Sequence, residues 1–184
     1  EQWAHDTQRA FGHPVGLHGR LVHLYVNGLY WGIYNAVERP DDAFMADHVA
    51  EPRENWDILQ GLITDAEVSL AEGSRAAYDA MMALVPKSPT TTVSDVTYAQ
   101  LEQYLDMPLY AEYMLIQFYS QNYDWPNKNW RVACQRNLAD PAGPPVIKFR
   151  YNLWDQESTL GFYAQDRTTV GNDLTGNNGR IGPA

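Results

Sequence analysis

Asp124 and Asn129 stand five positions apart in Asn122-Tyr-Asp-Trp-Pro-Asn-Lys-Asn-Trp130, and Asp155 and Glu157 follow in Trp154-Asp-Gln-Glu157. An acid, an amide five residues on and a later strand-ending acid is the spacing of a phosphoryl-transfer site. In such a site one aspartate handles the acceptor hydroxyl, while the asparagine and the second aspartate hold a divalent cation against nucleotide phosphates. This chemistry asks for a base near the hydroxyl and oxygen ligands on a hard cation. On this reading Asp124 accepts the hydroxyl proton, Asn129 offers a carbonyl oxygen to the cation, and Asp155 bridges the cation to the phosphates. Pro126 stiffens the loop between them. Taken alone, D-x-x-x-x-N is also an ordinary turn, because Asp, Asn and Pro all favour loops for local backbone reasons. The strand-ending acid lifts the pattern above that.

Asp155 and Glu157 carry a competing reading. In extended chain they share a face, and two carboxylates on one face also fit a metal-dependent hydrolase or a glycosidase. Such a metal site would draw on further ligands, and the five histidines (His5, His13, His18, His23 and His48) show no HxxxH or HxH spacing. If the strand reached back to His18, its odd separation from His23 would send the two rings to opposite faces, roughly 17 Å apart. No zinc site is expected. The single Cys134 rules out an internal disulfide and a cysteine-cluster zinc site, and its place in Arg131-Val-Ala-Cys-Gln-Arg136 reads as a buried thiol.

The elements that must position these groups can be read along the chain. Gln2 to Phe11 reads as a helix stopped by Gly12-His-Pro14. Leu21–Val26 and Leu29–Val37 flank Asn27-Gly28, the strongest short hairpin signal, because both turn residues tolerate positive φ. Gly32 within the second strand reads as a bulge. Pro40 to His48 opens a short helix, and Trp56–Gln60 is a third strand closed by Gly61. Ala66 to Leu84 reads as one long helix, with Gly73 against it. Pro86 to Thr92 is a loop and the expected boundary between two lobes, approximately 1–86 and 98–184. A second helical region runs from Tyr98 through Tyr119, interrupted near Pro108, with Leu109, Tyr113, Ile116 and Tyr119 expected on its buried face. Trp130–Gln135 and Val146–Trp154 then form a second hairpin that brings the Asp124 loop near Asp155.

Composition narrows the partners. A hydrophobic content of 45% over 184 residues supports a core. The formal net charge of −10, with no Lys/Arg-rich run, disfavours nucleic acid and anionic membrane surfaces. It leaves a metal-nucleotide open, because the cation supplies the positive charge locally. No run of about 18 apolar residues offers a membrane span. Twelve Tyr and six Trp fit either an aromatic core or a surface that stacks on flat groups. The chain opens at Glu1 inside a helix and is expected to be part of a larger polypeptide.

Four blocks in order carry a family resemblance: Leu24-Tyr-Val-Asn-Gly-Leu-Tyr-Trp-Gly-Ile-Tyr-Asn-Ala-Val-Glu-Arg39, Asn55-Trp-Asp-Ile-Leu-Gln60, Asn122 to Trp130, and Trp154-Asp-Gln-Glu157. Together they resemble the CotH (spore coat protein H) kinase family. The resemblance implies an α+β, atypical protein-kinase-like fold of two small lobes, with β-hairpins and a mainly helical second lobe, present here as a fragment. It also implies ATP with Mg²⁺ or Mn²⁺, Ser/Thr hydroxyls of a protein substrate, and a secreted or cell-surface parent protein. By motif, Asp124 is the loop aspartate, Asn129 the loop asparagine, Asp155 the metal-binding acid with Glu157 as second acid, and Glu38 the glutamate closing the hairpin block. Nucleotide contacts fall to Asn27, Gly28, Glu38 and Gln60. Gln60 departs from the family pattern, since the resemblance leads one to expect a lysine near the phosphates and a neutral amide brings no charge. Arg39 and Lys148 are the other cations weighed for that task. The alternative is a pseudokinase or extracellular binding module, with a carboxylate-pair hydrolase third.

Overall fold

The computed structural model describes residues 1–61, 68–87, 91–122, 125–126 and 128–160. It is an α+β structure with two antiparallel sheets. Helix α1 (Gln2–Ala10) leads to β1 (Gly19–Val26) and β2 (Leu29–Val37), paired as an antiparallel ribbon. The turn is as expected: Asn27 and Gly28 have φ of 51° and 80°, the pair of positive values a two-residue hairpin turn of this hand needs. Gly32, with φ of 111°, sits where the register slips between Leu24 and Tyr25, so it does mark a bulge.

Helix α2 (Asp42–Val49) starts at Asp41, whose carboxylate accepts from the Phe44 N–H at 3.0 Å. After a single 3₁₀ turn at Arg53–Asn55 come β3 (Trp56–Gly61) and β4 (Val68–Glu72). The long helix expected from Ala66 to Leu84 is therefore wrong in its first part. Val68–Glu72 pairs with the edge of β3, and only α3 (Ala76–Leu84) is helical there. Gly73 breaks the two apart. Its φ is 79°, and a Cβ there would fall 2.3 Å from Asp57 Oδ1 and 2.4 Å from the Trp56 carbonyl, so the turn needs glycine on both grounds. Strand pairing has overridden helical propensity, as tertiary context commonly does.

Helices α4 (Asp95–Tyr104) and α5 (Met107–Ser120) divide the second helical region where expected, with Pro108 in the first turn of α5. Tyr113 and Ile116 are buried and Leu109 partly so, but Tyr119 is 72% exposed and lies against Trp3 at the surface, the rings tilted by 33°. The chain continues into β5 (Trp130–Gln135) and β6 (Ile147–Leu153), an antiparallel pair.

The larger sheet has the order β4-β3-β5-β6, so its strands come from both sides of the Pro86–Thr92 segment. One face carries Leu59, Trp130, Val132, Cys134, Tyr151 and Leu153 against the helices α3 to α5. The other carries Trp56, Ile58 and Ala133 under Phe44 and Met45 of α2 and under Val15 and Leu17. The free edge of β6 is closed by α1. The fully buried Gln8 side chain donates to the Tyr151 carbonyl at 2.9 Å and accepts from the Leu153 N–H at 3.2 Å. That contact fixes the backbone two residues before Asp155.

Candidate functional site

The loop before β5 is anchored from below. Trp125 is buried, and its indole N–H donates to the Tyr113 hydroxyl of α5 at 2.8 Å. Gln117, one turn on, donates to the same oxygen at 3.1 Å. The Trp130 indole N–H reaches back to the Pro126 carbonyl at 3.0 Å, across the cis Trp125–Pro126 peptide. Large aromatic bodies with one polar atom each can hold a loop in this way without leaving that atom unpaired.

Asn129 and Asp155 are brought together. Trp130 pairs with Leu153, so the residues just beyond each strand end side by side. The Asn129 side-chain N–H donates to the Asp155 carbonyl at 2.8 Å, and Asn129 is buried. No hydrogen bond among the described residues uses the Asn129 Oδ1, the atom a hard cation would take. Gln156, between the two acids, is buried and donates to the Trp154 carbonyl at 3.0 Å.

Asp155 and Glu157 also meet, but not by alternation along an extended strand: β6 ends at Leu153 and Asp155 is in left-handed backbone, with φ of 57°. The hydrogen bond that the Asp155 carboxyl donates to the Glu157 carboxylate, together with burial and the Glu157 charge, pushes Asp155 up to about 7, while Glu157 is held below the usual carboxylate range by the same contact. Two carboxyls sharing one proton are a pair that a cation could bridge in the proton's place. Were the Asn129 amide oxygen to join them, the donors would all be oxygen, a set that fits Mg²⁺ or Mn²⁺ and not a soft metal. Asp124 lies outside the described residues.

The nucleotide-side residues are spread over several elements. Asn27 and Gly28 form the exposed tip of the first hairpin. Gln60 is half-buried on β3, directly across from Arg131 of β5. Lys148 lies in a groove with Glu102, Asp106 and Arg150, away from these groups. Arg39 is exposed beside the Pro40 carbonyl that Arg131 contacts.

Glu38 closes the hairpin block and has partners that the sequence did not reveal. The His18 N–H donates to Glu38 Oε2 at 2.7 Å, the His18 ring reaches the same oxygen at 2.9 Å, and His48 Nε2 lies 3.7 Å from Oε1. The ligand atoms of His18, Glu38 and His48 lie within 4.8 Å of one another, a grouping able to hold a metal ion. Burial pushes Glu38 up, but the His18 backbone and ring outweigh it and hold the group below the usual carboxylate range. Sequence spacing could not show this cluster, because one member precedes β1, one follows β2 and one ends α2.

Asp57, inside the Asn55–Gln60 block, is fully buried and structural. Arg136 Nε donates to it at 2.8 Å, a second guanidinium nitrogen reaches the same oxygen, and the Ser74 N–H donates at 2.6 Å. Cys134 is buried beside it, as expected of an inert thiol, and burial pushes its thiol well up. Among the described residues no helix is long and apolar enough to cross a membrane.

The family model described as CotH kinase protein matches residues 5–182, nearly the full length of the chain. No curated protein matches it.

Proposed function

This chain belongs to the CotH kinase family, and we propose that it transfers the γ-phosphoryl group of ATP to a Ser or Thr hydroxyl of a protein, with Mg²⁺ or Mn²⁺. The observation that supports the reading is the hydrogen bond from the Asn129 amide to the Asp155 backbone carbonyl, beside the carboxyl pair that Asp155 makes with Glu157. Asp124, placed by motif, takes the proton of the acceptor hydroxyl as its oxygen bonds to the γ-phosphorus. The bond from that phosphorus to the bridging oxygen breaks, and ADP leaves. Asn129 and Asp155 hold the cation, with Glu157 supporting Asp155. When bound, the cation neutralises charge on the phosphate oxygens. The first hairpin, through Asn27 and Gly28, together with Glu38 and Gln60, faces the nucleotide.

A second reading rests on the exposed aromatic side chains of the hairpin, Tyr25, Tyr30, Trp31 and Tyr34. In it the chain is a pseudokinase or binding module of a secreted or surface protein, and the aromatics dock a partner. The two readings separate in one assay: labelled ATP with Mn²⁺ or Mg²⁺ and the purified full chain. Incorporation that vanishes in Asp124→Ala and in Asp155→Ala supports transfer. Nucleotide binding without incorporation supports the pseudokinase. Absence of any thermal shift with ATP and either metal defeats both transfer and nucleotide binding.

A further inference from the structure

We propose that Arg131 is the floor of an anion site for the polyphosphate of the nucleotide, supplying the positive charge that Gln60 lacks; the assignment to a nucleotide rests on the function proposed above. Arg131 is 3% exposed. Its Nε has no partner, one NH₂ group reaches the Pro40 carbonyl at a long 3.4 Å, and its guanidinium lies 5.1 Å from the Trp154 ring centroid. Among the described residues no carboxylate pairs with it. Five other arginines (Arg9, Arg53, Arg75, Arg136 and Arg150) do have carboxylate partners, and each is more exposed. Burying a charge without a partner is costly, so an unpaired guanidinium inside a sheet calls for an anion.

The surroundings are built for one. Cross-strand partners share a face of the sheet, so the pairings Ser69–Gln60, Gln60–Arg131 and Arg131–Asn152 lay a polar row across all four strands. This row comes directly after the apolar pair Ile58–Ala133. Asn152 donates to the Val15 carbonyl at 2.8 Å, and its Oδ1 has no partner. Loss of water and the nearby Arg39 charge bring Arg131 down to about 10, against the opposite pull of the Asp41 and Glu72 charges, so it stays protonated at neutral pH with neither acid in contact with it. A guanidinium fork matches phosphate oxygens and reads them in pairs. Trp154, against which the fork rests, is joined directly to Asp155, so phosphate on Arg131 would lie next to the cation ligands.

The test uses the full chain, with tripolyphosphate, ATP and adenosine as probes followed by thermal shift and calorimetry. Tripolyphosphate and ATP are expected to bind the parent protein, and both to weaken by about tenfold or more in Arg131→Met, with Arg131→Lys in between. Without ligand, Arg131→Met should melt at or above the parent temperature, because an uncompensated buried charge has been replaced by an apolar chain of similar length. A clear drop in that melting temperature would make Arg131 a structural residue and overturn the proposal. Unchanged ATP binding in a folded Arg131→Met or Arg131→Lys would overturn it too, while leaving the kinase reading standing. Arg131-dependent binding of tripolyphosphate without binding of ATP would keep the anion site and defeat the nucleotide reading.

Discussion

The Asn129 side chain and the Asp155 carbonyl are joined at 2.8 Å across 26 residues of chain, and both residues sit in left-handed backbone, with φ of 65° and 57°. Side chains other than glycine adopt that region at a cost, with Asn and Asp tolerating it best. The hydrogen bond holds two such positions against each other, one at the start of β5 and one past the end of β6. The two residues proposed as cation ligands are thus fixed by the ends of a paired hairpin.

Asn129→Gly separates the backbone role from the amide role. Glycine keeps the positive φ without strain, so only the amide is lost. Stability should fall by about 1 kcal/mol, the usual net worth of one hydrogen bond. Phosphoryl transfer should fall by roughly a hundredfold or more, the scale seen when one fixed polar group is removed from a charge-stabilising site. Urea melts and single-turnover assays with labelled ATP read the two effects. A large stability loss with unchanged turnover would assign Asn129 to folding alone.

The Asp155–Glu157 pair sets a pH dependence with a definite sign. Asp155 is raised to about 7, so the native state holds a proton that the unfolded chain loses near pH 4. Its contribution to stability is fully present below that lower value and is lost as pH rises through about 7. A divalent cation takes the place of the proton, so its binding strengthens over the same interval. Added Mn²⁺ should therefore raise the melting temperature more at about pH 8 than at about pH 5.5. Asp155→Asn should abolish the difference, and an equal Mn²⁺ effect at both values would rule out this pair as the cation site.

Local signals made much of this legible. Asn27-Gly28 announced its turn, and the β5–β6 hairpin implied that Asn129 and Asp155 would meet. The segment from Ala66 to Leu84 misled because Ala, Glu and Leu favour helix, whereas β3 offered Val68–Glu72 an edge to pair with and Gly73 a turn against Asp57. Tyr119 fits the apolar period of α5 yet lies at the surface, since Trp3 and not the core receives it. Arg131 and the trio His18, Glu38 and His48 were invisible for another reason. Their meaning depends on register between strands and on elements docking across long sequence separations, neither of which any local spacing encodes.

Asp57→Asn should be among the most damaging changes in the chain, although Asp57 lies in a motif block. The substitution removes the charge that pairs Arg136, in a position with no solvent exposure. Breaking one side of a buried pair costs roughly 3–5 kcal/mol. The Ser74 N–H, which fixes the turn after Gly73, loses a charged acceptor as well. Urea denaturation should show this loss, while any folded fraction keeps its affinity for ATP. A stable variant with weakened ATP binding would move Asp57 from scaffold to site.

His5 and His13 make the fold sensitive to mild acid. Both rings are buried; desolvation is the main cause that lowers each to about 4, helped at His13 by the Arg150 charge. The unfolded chain protonates them near 6.5. Their stability contribution is therefore fully present above about pH 6.5 and is lost as pH falls through that value toward about 4, by up to roughly 3 kcal/mol for each ring. Asp155 acts in the opposite direction over part of this window, so the comparison must be made between parent and variant. His5→Phe and His13→Leu, melted in urea at about pH 7 and about pH 5, should lose much less stability on acidification than the parent. If the parent and both variants lose the same amount, these rings do not titrate on unfolding, and the acid response lies with the carboxylates.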